Sequence, residues 1–147
     1  MKRPVVAFIA HDSKKEEMVD LVRNYKQELD EVDIIATRST GQMIISRVGL
    51  PVTLVQSGAQ GGDMQIGAMI TNDEISVVVF LRDPYTVFPD EPVLTSLLRV
   101  CDIHEVPMAT NITTANAVLR QLFMCPGVGK ERRVVADYLD EIAVVHE

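Results

Sequence analysis

The sequence predicts an α/β domain, three-layer α/β/α, on a five-stranded parallel sheet. Two observations carry that expectation. Short apolar, β-branched runs recur five times, each followed by a segment with helical spacing. One of these runs, Val5 to Ala10, is continuously apolar rather than alternating, as expected for a strand buried on both faces. Right-handed crossovers between such strands place helices on both sides of the sheet. Ligands of these sheets bind beyond the carboxyl ends of the strands, and polar clusters follow the runs at those ends.

Val5 to Ala10 is the first run, closed by His11-Asp12-Ser13. From Lys14 to Leu29 the apolar residues Met18, Val22, Tyr25 and Leu29 recur at helical spacing, with Asp12 or Ser13 as the expected cap. Val32 to Ala36 is the second strand, closed by Thr37-Arg38-Ser39-Thr40-Gly41. A short helix over Gln42 to Arg47 follows, ended by Gly49. Val52 to Val55 is the third strand and leads into Gln56-Ser57-Gly58-Ala59-Gln60-Gly61-Gly62-Asp63, a glycine-rich loop before a helix over Asp63 to Thr71. Ile75 to Leu81 is the most β-branched run and closes with Arg82-Asp83-Pro84. A Pro-rich loop, Pro84 to Pro92, precedes a helix carrying Leu94, Leu97, Leu98 and Cys101. Val106 to Ala109 is the fifth strand, closed by Thr110-Asn111. Thr113 or Thr114 is the expected cap of a last helix with Ala115, Val118, Leu119 and Leu122 on its apolar face. After Cys125-Pro126-Gly127, the stretch from Lys130 to His146 reads as one more helix.

The length suits one domain over 1–147, with its core at about 4–123 and a helical tail at 130–146. Twenty-one acidic against 14 basic residues give a net charge of −7, which disfavours nucleic acid as a partner. A small anion is not disfavoured, because a site is local. Cys101 and Cys125 have no metal-type spacing and suggest no disulfide framework. Lys2 and Arg3 precede only a short apolar run, and no run is long enough to span a bilayer. The expectation is a cytoplasmic protein without membrane contact.

The strand ends supply His11, Asp12 and Lys15, then Thr37, Arg38, Ser39 and Thr40, then Ser57, Gly58 and Asp63, then Asp83 and Asp90, then Thr110 and Asn111. Hydroxyls, a lysine and glycine-flanked amides make a phosphate cradle. It is neither a Walker loop nor a dinucleotide fingerprint, for Gly-Lys-Ser/Thr is absent and His-Asp-Ser follows the first strand. Phosphate with nearby carboxylates suggests proton abstraction from a small phosphorylated molecule, with donors stabilising the enolate. Each residue also has a plainer role. Thr37, Ser39 and Thr40 serve as helix caps, Lys15 as a solvated helix lysine, Asp83 before Pro84 as a turn residue, and His11 as a structural hydrogen-bond partner. His104 and His146 read as surface residues. Convergence at one edge favours the functional reading.

Five motifs resemble the methylglyoxal synthase family: Ala10-His11-Asp12-x-x-Lys15, Ala36-Thr37-x-Ser39-Thr40-Gly41, Ser57-Gly58-x-x-Gly61-Gly62-Asp63-x-Gln65-Ile66-Gly67-Ala68, Phe80-Leu81-Arg82-Asp83-Pro84 and Ala109-Thr110-Asn111. They run in order over about residues 4 to 123. The resemblance implies a homohexamer that converts dihydroxyacetone phosphate to methylglyoxal and phosphate, without metal or cofactor. It implies Asp63 as the catalytic base, with Lys15, Thr37, Ser39, Thr40, Ser57 and Gly58 on phosphate. It implies His11 on substrate and Asp12 and Asp83 in the site wall. The chain departs from the family pattern in the loop Pro89-Asp90-Glu91-Pro92-Val93, where the family has histidine at the second position and an acid at the last. It also has Arg38 where the family has glycine, and Ala59 in place of a proline after the Ser-Gly pair. An ionised Asp90 repels an enediolate, whereas a protonated one donates to it. Arg38 adds a charge for phosphate, plugs the pocket, or pairs with Asp90. Two functions therefore compete: a lyase, and a non-catalytic module of the same fold that binds phosphate or a phosphometabolite, as in carbamoyl phosphate synthetase. A phosphoacceptor receiver domain fits less well, since it needs paired acids after the first strand and a lysine after the fifth.

Overall fold

Five strands, β1 (Val5–Ala10), β2 (Asp33–Ala36), β3 (Thr53–Leu54), β4 (Val77–Leu81) and β5 (Met108–Ala109), pair in parallel in the order β3-β2-β1-β4-β5. The computed structural model describes residues 3–86 and 91–124, with backbone alone for 91–93. The chain builds outward from β1 through β2 to β3, then returns to the other side of β1 for β4 and β5. The topological switch point therefore lies between the carboxyl ends of β1 and β4.

Alternation along the central strands sorts their side chains into two cores. Val6, Phe8, Ile34, Ala36, Val77, Val79 and Leu81 face one way. There they meet residues of α1 (Lys15–Asn24), α3 (Arg38–Val48) and α6 (Ile112–Met124), and Leu29 of α2 (Lys26–Leu29). Ala7, Ile9, Ile35, Val78 and Phe80 face the other way, against Ile66 and Ile70 of α4 (Gly62–Thr71) and Leu94, Leu97 and Cys101 of α5 (Glu91–Ile103). All five residues of β4 are buried, which is why that run is uninterruptedly apolar. Burial pushes the Cys101 thiol up to about 12, so it behaves as a small apolar side chain. The three-layer α/β/α architecture with five parallel strands is as the sequence predicts.

Several element boundaries differ. The helix predicted over Lys14 to Leu29 breaks at Tyr25, which leaves helical geometry at φ −109° and ψ 20°. Its hydroxyl donates to Asn116 Oδ1 at 2.9 Å and its ring lies 5.9 Å from that of Phe123, so contact with α6 accompanies the break. The helix predicted from Gln42 starts four residues earlier, at Arg38. Gly41 reads as a loop residue in sequence but lies inside α3. A Cβ there would meet Leu54 Cδ2 at 2.2 Å and Ala36 Cβ at 3.2 Å, so the glycine lets the helix lie flat on β2 and β3. Gly49 ends α3 in the left-handed conformation, as expected. The cap of α6 is Asn111, whose Oδ1 accepts from the Thr114 amide at 2.9 Å, and not Thr113 or Thr114. Neither Asp12 nor Ser13 caps α1, because a single 3₁₀ turn, Asp12–Lys14, comes first. Edge strands β3 and β5 shrink to two residues each. The predicted tail helix at 130–146 lies outside the described residues.

The turn that feeds α4 is held by backbone contact. Gly62 N–H donates to Ser57 O at 2.9 Å, and Gln65 Oε1 accepts from the Gln56 amide at 2.8 Å. A Cβ on Gly62 would lie 1.8 Å from Gln56 O, a backbone atom that cannot swing aside. Gly58, in the same loop, has no heavy atom within 4 Å of such a Cβ. We predict that Gly62→Ala costs about 1–3 kcal/mol or more by overpacking, whereas Gly58→Ala stays within about 0.5 kcal/mol of wild type. Urea midpoints followed by circular dichroism check both.

Candidate active site

Polar residues follow all five strands on the same edge, where sequence reading expects them. Strand pairing brings their backbones level. Val55 N–H donates to Ala36 O at 2.9 Å, Thr37 N–H to Phe8 O at 3.3 Å, and His11 N–H to Leu81 O at 3.1 Å. The loops after β3, β2, β1 and β4 therefore leave the sheet side by side. Among the described residues, the buried polar or charged side chains are Thr37, Thr40, Asp63 and Ser76. Ser76 sits at the opposite edge, where its Oγ accepts from the Val5 amide. The other three belong to the candidate site.

Three neighbouring strand exits repeat one backbone geometry. His11 (φ −63°, ψ 157°), Thr37 (φ −62°, ψ 152°) and Ser57 (φ −64°, ψ 158°) each stand at the N-cap of a helical turn, and none makes a side-chain cap bond. The first amides of a helix have no partner within the helix. Of these turns only α3 is long, and its start is the strongest dipole end of the three. Its first turn also holds Thr40, only 2% exposed, whose hydroxyl has no hydrogen-bond partner among the described residues. A buried hydroxyl without a partner is costly, so Thr40 and the adjacent amides are built to receive an acceptor-rich group. Arg38 and Ser39, in the same turn, are exposed.

Asp63 lies in the first turn of α4 and is 2% exposed. Its Oδ1 accepts from the Met64 amide at 3.0 Å, and the positive end of α4 favours the carboxylate. Lys15, with 14% of its side chain exposed, forms an ion pair with Asp12, which is 98% exposed. That hydrogen bond and charge hold the Asp12 carboxyl below the usual carboxylate range. The Asp12 pair thus fixes Lys15 at the rim.

His11 and Asp83 bridge the switch point. The Asp83 amide donates to His11 Nδ1 at 2.9 Å, so the neutral ring carries its hydrogen on Nε2. Phe80 packs edge-on against the ring at 5.3 Å. The Asp83 carboxylate accepts from the Tyr85 amide at 2.9 Å, from Ser13 Oγ at 3.0 Å and from Thr86 Oγ1 at 3.3 Å. The first of these does most to hold its carboxyl below the usual range, opposed by burial and aided by Ser13, Thr86 and the Lys14 charge. Asp83 is thus a turn residue with a second task, tying the loop after β4 to that after β1. Thr110 is half-buried and Asn111 is committed to its cap. Asp90 lies outside the described residues, as does the side chain of Val93. Among the described residues no group of three or more His, Cys, Asp or Glu is arranged to hold a metal ion, and no helix is long and apolar enough to cross a membrane.

The fold agrees with comparisons to known proteins. The MGS-like domain model matches residues 17–110. Methylglyoxal synthase from Thermoanaerobacterium thermosaccharolyticum is 47% identical over 117 residues, 80% of this chain and 87% of that protein. The chain belongs to the methylglyoxal synthase family. A second member, from Burkholderia cenocepacia (strain HI2424), is 46% identical over 122 residues, 83% of this chain and 94% of that one. The crystal structure of methylglyoxal synthase from Elizabethkingia anophelis NUHP1 superposes with a TM-score of 0.76 at 33% identity, covering 86% of this chain and 81% of that one. Relatives of this name at such identity make the chain an enzyme of the lyase class.

Within this methylglyoxal synthase fold, sequence reading misses the fastening residues. Ser13 reads as a helix cap but bonds to Asp83, and Gln65, named only within the motif after the glycine loop, holds the Gln56 amide. Neither leaves a trace in periodicity. The Asp83-Pro84-x-Thr86 turn does leave one, since Asp before Pro marks a side-chain-closed turn.

Two outcomes follow. Thr40→Val removes an unpartnered buried hydroxyl, so the variant should be as stable as wild type or more so, while binding orthophosphate about tenfold or more weakly. Thermal melts and calorimetry give the two readouts. A carboxyl whose folded value is lowered contributes stability above the unfolded value of about 4, and loses it as pH falls through the folded value. Wild type should therefore lose more stability than Asp83→Asn as pH falls below about 4, as read from urea midpoints.

Proposed function

We propose that the chain converts dihydroxyacetone phosphate to methylglyoxal and inorganic phosphate, with Asp63 as the base. The observation that supports this reading most is a buried carboxylate and a buried hydroxyl without a partner at the starts of helices that follow neighbouring strands. Asp63 is buried at the start of α4, and Thr40 offers a buried, unpartnered hydroxyl at the start of α3. In this reading the α3 amides, Thr37, Ser39, Thr40, Ser57, Gly58 and Lys15 hold the phosphate. The Asp63 carboxylate takes a proton from the hydroxymethyl carbon beside the carbonyl. The electron pair moves onto the carbonyl oxygen, giving an enediolate. His11 Nε2–H, oriented by the Asp83 amide, is the donor assigned to that oxygen. The terminal hydroxyl then gives up its proton to the departing phosphate as its electrons re-form a carbonyl. The double bond shifts, and the C–O bond to phosphate breaks with its pair leaving on phosphate. The enolate that remains takes on its terminal carbon the proton held by Asp63, which gives methylglyoxal and restores the carboxylate.

Asp12 acts in this scheme by holding Lys15, and Asp83 by holding His11. Neither is assigned a proton transfer. Asp90 and Arg38 carry the chain's departure from the family pattern. The homohexamer and the cytoplasmic location are part of the same proposal, on the family resemblance.

The test is formation of methylglyoxal and phosphate from dihydroxyacetone phosphate. Asp63→Asn should lower kcat by about 10²–10⁴ while orthophosphate still binds, since a general base contributes rate rather than phosphate affinity. Equal turnover by the two proteins would remove Asp63 from the role of base. A wild-type chain that binds orthophosphate and releases none from the substrate would establish the non-catalytic module, the reading that Asp90 and Val93 favour.

A further inference from the structure

The cradle's charge balance points to a role for Arg38. Lys15 is already paired with Asp12, and Lys14 lies 3.4 Å from Glu17. The described lysines of this rim therefore bring their own counter-charges. Arg38 is the first residue of α3, is exposed, and makes no ion pair or hydrogen bond to the described residues. It adjoins the amides that no side chain caps and shares their turn with the unpartnered Thr40 hydroxyl, 98% buried by its 2% exposure. The turn thus has an inner part and an outer part. The inner part suits one oxyanion by hydrogen bonding. The outer part is a fixed cation whose planar fork matches a carboxylate or phosphate.

We propose that Arg38 extends the cradle to a second anionic group. The site then favours small phosphorylated compounds carrying another oxyanion, a carboxylate or a second phosphate, over compounds with one phosphate only. The inference rests on the reading of the α3 turn as a phosphate site and names what else that site takes. Arg38 is a specificity-determining residue in this account. It acts on which anions occupy the site, and it takes no part in proton transfer.

Calorimetric titration of the full chain with orthophosphate, pyrophosphate and phosphonoacetate tests it. A charge-assisted, bidentate contact makes the second group worth about tenfold, so wild type should bind pyrophosphate or phosphonoacetate about tenfold tighter than orthophosphate. A gain for pyrophosphate alone assigns the second group as phosphate, and a gain for phosphonoacetate alone assigns it as carboxylate. Arg38→Gly and Arg38→Gln should both bring that ratio close to one while orthophosphate still binds. Arg38→Lys should keep part of it, and added salt should erode it, since the guanidinium is exposed. Arg38→Gln keeps good helix propensity, so it stands if the glycine variant unfolds. A ratio near one in wild type, or a ratio unchanged in both variants, overturns the proposal and leaves the phosphate site standing. A wild-type chain that gives no heat with orthophosphate overturns the underlying phosphate reading too.

Discussion

Amides without caps at three neighbouring strand exits are the feature on which the site depends. A side-chain cap contributes about 0.5–2 kcal/mol to a helix. The chain has hydroxyl-bearing residues at two of these positions, Thr37 and Ser57, and neither caps. After β5, by contrast, Asn111 caps α6 in the ordinary way. The difference is local. Capping is withheld after β1, β2 and β3, on one half of the carboxyl edge, and present at its far end. Helix starts that forgo a cap remain available to an anion. Stability given up at a site and recovered in the core is the usual pattern of a functional edge.

The core explains why that edge is rigid enough to serve. β1 and β4 are paired over five residues and buried on both faces, so the exits of His11 and Asp83 are set by the ladder. The Asp83 amide then donates directly across the switch point to His11. On the other side, α3 and the loop after β3 are positioned by close approach. Gly41 sits where a Cβ would overlap Leu54, and Gly62 where one would overlap the Gln56 carbonyl. Two glycines with no chemistry of their own thus fix the residues that flank them, Thr40 before the first and Asp63 after the second.

Much of this was legible in the residues, for identifiable reasons. Apolar runs located β1, β2 and β4 closely: β1 and β4 carry no polar position, and β2 carries one, the exposed Asp33 at its start. Edge strands β3 and β5 were overestimated, since pairing on one side alone ends the ladder early. The start of α3 was misplaced because a glycine in sequence reads as a breaker, whereas here it is a contact. The strand-end rule set His11, Lys15, Thr37, Thr40, Ser57 and Asp63 at one edge of the sheet without knowledge of any contact, and that is where the chain carries them. It did not show that Asp12 is bound to Lys15, or that the Asp83 carboxylate is taken up by Ser13, Tyr85 and Thr86. Those partners are set by loop geometry, which has no period to read.

One physical tension remains in any such site: a carboxylate that is to act as base must lie near a bound dianion that repels it. In the proposed reading the work is divided between two helix starts. The cradle belongs to α3 and the carboxylate to α4, each with its own positive end. Asp63 also takes the Met64 amide, so its negative charge is supported from behind. The Asp12–Lys15 pair adds no net charge at the rim, and the exposed Arg38 guanidinium is a charge set beside the backbone dipoles there. A cradle of dipoles holds an oxyanion by hydrogen bonds that run to their acceptor over short range, and leaves the base little affected beyond it. In the proposed account an added guanidinium acts at longer range than those hydrogen bonds, which is how the residue at position 38 would bear on the choice of anion.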